Sequence, residues 1–158
     1  MSVLKALKAS NFTAVFDYVD WNGMYDRMSD LQRRQKHLSS AKSLRAYYQK
    51  VYHKPEKFLE REMRRAVNSV PVKEQSEAAF YFEAQRRGIL KQHKEAIQEY
   101  SVAKPKIIRV ESDEKVAIVY VVFSKDNFDY TREIRLVHIG ERWLLDSLAL
   151  LSTPAGSN

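Results

Sequence analysis

At 158 residues, with a formal charge of +7 and no cysteine, the chain has the size of one compact domain; the missing thiols exclude a disulfide framework, thiolate metal sites and a cysteine nucleophile. The four glycines (Gly23, Gly88, Gly140, Gly156) spell neither a phosphate loop nor a dinucleotide fingerprint. The four histidines (His37, His53, His93, His138) stand alone without ligand spacing, so neither cofactor nor metal is expected.

The charge is uneven. Residues 1–73 hold 15 Lys/Arg against 7 Asp/Glu, and residues 31–73 hold 12 against 3, whereas residues 74–158 hold 12 against 13. Such asymmetry speaks about partners and association rates. Lys5 and Lys8 interrupt the N-terminus before a signal core forms, and no later run is long enough to span a membrane. The chain as written reads as cytoplasmic; an exported protein trimmed of its signal would look the same.

In chain order, Val3, Leu4, Leu7, Val15, Phe16 and Val19 recur at helical spacing around a dip at residues 8–11, giving two short helices or one bent helix. Met24, Met28 and Leu31 repeat that spacing. Ser39 and Ser40 cap a stronger helix with Leu44, Tyr47, Tyr48, Val51 and Tyr52 on one side, ending before Pro55. Pro55 suits the first turn of the next helix, which ends near Asn68. Glu77 to Tyr100 is helical in composition, with a break or bend expected at Gly88.

The period changes at Lys104. Ile107–Val110, Val116–Phe123, Ile134–Ile139 and Trp143–Leu151 are β-branched or apolar runs joined by short polar connections, which predicts three consecutive hairpins. The class is α+β, a single domain over residues 1–152 with a flexible tail at 153–158.

Several residues carry a family resemblance. Leu4-Lys-Ala-Leu7, Ser10-Asn11, Val19-Asp20-Trp21, Ala117 and Val119, and the closing Gly140 and Trp143 resemble the nuclear transport factor 2-like superfamily, loosely so over residues 40–100. The resemblance implies N-terminal helices packed in the concave face of a strongly curved antiparallel sheet, a cone with an apolar pocket. Trp143 is then a core residue, and Tyr18, Trp21, Tyr48, Tyr120, Leu136 and Trp143 are the candidate lining of a pocket for a small apolar molecule. The function expected is a ligand-binding or protein-interaction module.

An enzyme of the cyclase, isomerase or dehydratase kind is the alternative. Asp146 lies among Leu144, Leu145 and Leu148, where a carboxylate is costly unless paired or protonated. It is either a general base or the partner of Arg132 or Arg135 across strands. Asp20, with Tyr18 or Tyr120, is a second candidate acid. His138, alternating with Ile134 and Leu136, is a third candidate or a rim residue. For the steroid-isomerase branch the resemblance implies a first-helix tyrosine at the position where this chain has Val3.

Two surface readings remain. Arg33, Arg34, Lys36, Lys42 and Arg45 form a basic surface for weak binding of a polyanion, an acidic protein or an anionic membrane. Tyr47, Tyr48 and Tyr52 are at core spacing, which favours packing over base stacking. Val116–Phe123 is apolar on both parities, so a second cover is expected on the sheet's convex face, giving a homodimer.

Overall fold

The computed structural model describes residues 2–151, so the tail at 153–158 lies outside the described residues. The class is α+β. Seven α-helices precede a four-stranded antiparallel sheet among these residues. Two short helices, α1 (Val3–Lys8) and α2 (Phe12–Val15), replace a single long one, because α1 closes on Ser10 at a left-handed φ of 55°. There the amides of Ser10 and Asn11 donate to the Leu7 and Ala6 carbonyls at 2.9 Å each, satisfying groups that the helix end leaves open. A 3-10 turn (Phe16–Tyr18) leads to α3 (Trp21–Arg27) and α4 (Asp30–Gln35), the latter started by a capping box between Ser29 and Gln32.

Helix α5 (Ala41–His53) starts at the Ser40 cap, and α6 (Pro55–Asn68) carries proline in its first turn, both as the sequence predicts. Helix α7 (Gln75–Val102) corrects the expectation at Gly88. It runs 28 residues without a break, and Gly88 sits exposed within it. One glycine costs about 1 kcal/mol against alanine, too little to end a helix that packs on both α6 and α1.

Strands β1 (Lys104–Ser112), β2 (Val116–Lys125), β3 (Phe128–Ile139) and β4 (Arg142–Leu145) lie in the order β1-β2-β3-β4, joined by three hairpins. Asp126 and Asn127, both at positive φ, form the two-residue turn between β2 and β3 that a right-handed strand twist prefers. The last strand is shorter than expected. After Leu145 the chain leaves the sheet, and Ala149–Leu151 is a 3-10 turn whose Leu150 and Leu151 are buried. Beside Leu145, Val19 forms a parallel bridge and the Asp20 amide donates to the Leu145 carbonyl at 2.8 Å, so the N-terminal segment continues the sheet.

The core forms between the helices and one sheet face. Leu7, Phe12, Val15 and Phe16 meet Leu44, Tyr100, Val121, Phe123 and Leu145 there, all buried. The opposite parity of β2 (Val116, Ile118, Tyr120, Val122) is half-buried. The outer edge, β1, exposes Ile107, Ile108 and Val110. Lys104, Pro105, Lys106 and a register irregularity between Ile107 and Arg109 blunt that edge against strand addition.

Candidate functional site

The six residues expected to line a pocket do not converge. Trp21 is buried, with its indole donating to the Phe16 carbonyl at 2.9 Å and its ring centroid 6.1 Å from Tyr48. Tyr18 and Leu136 pack partly buried against the core. Tyr120 faces the other side of the sheet, beneath the Arg109 guanidinium at 4.0 Å. Trp143 is not a core residue. It is 38% exposed at the sheet's end and stacks on His138 at 4.7 Å, because β4 reaches past the helices that cover its other end.

The candidate acids and base have structural partners. Asp20 is buried as the cap of α3 and accepts from the Gly23 amide at 3.0 Å. Asp146 receives the Arg135 Nε at 2.9 Å, and Arg27 donates to its main-chain carbonyl. His138 Nδ1 donates to the Glu114 carbonyl at 3.1 Å, which fixes its tautomer, since a carbonyl only accepts.

The basic surface divides. Arg33 is a latch: it donates to the Tyr25 carbonyl at 2.9 Å and the Asp26 carbonyl at 3.2 Å while lying over the Tyr25 ring. Lys36 sits over Tyr47, and Arg45 pairs with Asp17 at 2.7 Å. Arg34 and Lys42 are exposed. A separate shallow depression at the end of α6 is lined by Arg61, Arg64, Arg65, Asn68 and Ser69.

The concave feature that brings chemistry together lies where α2, α5 and α7 meet. Two cavities share Tyr52 and His93 in their walls. One, of about 100 Å³, is lined further by Val51, Pro55, Ile89, Gln92 and Leu151. The other, of about 180 Å³, is lined by Ser10, Asn11, Phe12, Thr13, His53 and Ile97 in addition. His93 meets Phe12 edge-on at 5.8 Å and Tyr52 at 5.4 Å, and its ring nitrogens have no hydrogen-bond partner among the described residues. Burial holds the His93 imidazole below the usual histidine range, so it is neutral at pH 7 and offers one donor and one acceptor. Burial, with Tyr48 adding to it, pushes Tyr52 up to about 12, which keeps its hydroxyl protonated.

A second polar cluster lies under the sheet. Arg132 donates to the Tyr100 hydroxyl and to the Ala149 and Leu150 carbonyls at 3.2 Å each, while Tyr100 donates to the Leu150 carbonyl. The arrangement ties the closing turn to the sheet. Beside it the Tyr130 hydroxyl is buried without a hydrogen bond among the described residues; burial first, then the nearby Glu99 carboxylate, raises its pKa well above the tyrosine range.

Among the described residues no cluster of His, Asp and Glu is arranged to hold a metal ion, and no helix is long and apolar enough to cross a membrane. Compared with known proteins, the chain matches no family model, no curated protein and no solved structure.

Proposed function

We propose that the chain is a small-ligand-binding module of the nuclear transport factor 2-like kind, its helices held in the concave face of the curved sheet. Its ligand site is the paired chamber at Tyr52 and His93. The observation that carries this reading is a half-buried imidazole, without a hydrogen-bond partner among the described residues, in the shared wall of two cavities. The larger cavity, about 180 Å³ and open on one side, has room for one aromatic ring. Binding is favoured over turnover because Asp20 and Asp146, the acids that would serve as bases, are engaged in a helix cap and an ion pair. The test is an NMR experiment with benzyl alcohol and benzamide as probes. Intermolecular NOEs to Phe12, Tyr52 and Ile97 support the reading; NOEs confined to other surfaces contradict it.

The protein is further proposed to be a homodimer through the outer sheet face, where Val116, Ile118, Tyr120 and Val122 form a half-buried apolar stripe along β2. The strand register supports a second copy as the cover. Across the stripe, Lys104 stands level with Asp129, Arg109 with Glu133, and Glu111 with Arg135. The sign inverts in each of these three rows. A two-fold axis parallel to β2 therefore sets each charge opposite its complement in the second copy, as an isologous interface requires.

A further inference from the structure

The larger chamber has a chemical bias that narrows its ligand. Neither cavity is lined by Asp or Glu. The larger one presents the imidazoles of His53 and His93 and the polar side chains of Ser10, Asn11 and Thr13, against an apolar floor of Phe12, Tyr52 and Ile97. Helix α5, which brings Tyr52 and His53 to the site, carries Lys42, Arg45 and Lys50 and no Asp/Glu, with Arg45 paired to Asp17, so its remaining charge favours an anion. No Lys or Arg lines the chamber itself. That omission disfavours a phosphate dianion, whose charge calls for guanidinium or ammonium partners.

Resting on the ligand-binding reading above, we infer that this chamber takes a small aromatic monocarboxylate, with its ring against Phe12, Tyr52 and Ile97 and its carboxylate facing His93. The carboxylate takes the place of solvent as the imidazole's partner, and an anion beside it favours the protonated ring. Binding is thus coupled to proton uptake. In the walls of the two cavities the other titratable groups are Tyr52 and His53 on α5; α2 presents Phe12 and Thr13, α6 Pro55 and the closing turn Leu151, none of which titrates, while α1, which also packs on α7, carries Lys5 and Lys8. Tyr52 stays protonated throughout the range of interest.

Isothermal titration with benzoate, benzamide and inorganic phosphate tests the inference on the full chain. Benzoate is expected to bind about tenfold tighter than benzamide, the gain of one charge-assisted hydrogen bond. Its affinity should rise about threefold or more between pH 8 and pH 6, with proton uptake visible as a buffer-dependent enthalpy. His93→Gln should remove most of that pH dependence, and the wild-type pH series stands alone if this variant folds poorly. Benzamide binding as tightly as benzoate overturns the carboxylate assignment and leaves the binding site intact. Phosphate binding tighter than benzoate overturns it as well. Failure of benzoate and benzamide alike overturns both readings.

Discussion

Arg135 Nε donates to Asp146 Oδ2 at 2.9 Å, joining β3 to the residue just after β4, and the Asp146 amide returns a bond to the Arg135 carbonyl at 3.3 Å. The pair explains why an acid survives between Leu145 and Leu148. Asp146 keeps 21% of its side chain exposed and Arg135 keeps 56%, so water screens the attraction. Asp146→Asn is expected to lower stability at neutral pH by about 0.5–1 kcal/mol in urea denaturation, the range for exposed ion pairs. A more stable Asn variant would show that the carboxylate is strained, as a catalytic base is.

The same substitution at two glycines has opposite signs. A Cβ at Gly23 would stand 2.1 Å from Asp20 Oδ2, so Gly23→Ala displaces the cap of α3. It should cost about 1–2 kcal/mol, the worth of a helix cap. At Gly88 a Cβ meets nothing within 4 Å, and Gly88→Ala should stabilise α7 by up to about 1 kcal/mol. Thermal melts of both variants settle the signs.

Arg33 makes its bonds to the Tyr25 and Asp26 carbonyls in the last turn of α3, the first of which also accepts from the Met28 amide at 3.1 Å. Arg33→Ala should therefore cost about 1 kcal/mol in chemical denaturation. Lys42→Glu should cost almost nothing there while weakening heparin binding at low salt. Equal stability losses for the two would contradict the division of the basic surface into latch and solvated charge.

The charge rows on the outer face make the proposed dimer testable by exchange. Arg109→Glu alone and Glu133→Arg alone should each raise the dimer dissociation constant, by about tenfold or more if the pair is desolvated. The double variant should restore most of the loss. Sedimentation velocity reads all three, and a wild-type monomer at tens of micromolar contradicts the interface.

The element order was legible because the period of apolar residues changes from helical to alternating at Lys104, and Ser40 and Pro55 mark helix starts by backbone chemistry alone. The lengths of α7 and β4 were less so. Packing along α6 carries Gly88 through, and Leu148 to Leu151 are apolar because they close the core as a turn. The site was hardest to read. Trp143 and Tyr120 bear the right side chains, but the positions of the helices relative to the sheet decide which faces are covered. His93 stands alone in the sequence; its one signal is its place in the series Ile89, His93, Ile97, Tyr100, a histidine on a stripe that runs from the exposed Ile89 to the buried Tyr100.

The proton state of His93 tests the account most directly. Its folded pKa is lowered by burial, so its contribution to stability is present above the unfolded value of about 6.5 and is lost as pH falls through the folded pKa. Following the His93 ring proton by NMR from pH 8 to pH 4.5, free and saturated with benzoate, reads both the burial and the ligand. A midpoint below about 6.5 in the free protein that moves upward on saturation is expected. A free midpoint at or above that value, unmoved by benzoate, would contradict it.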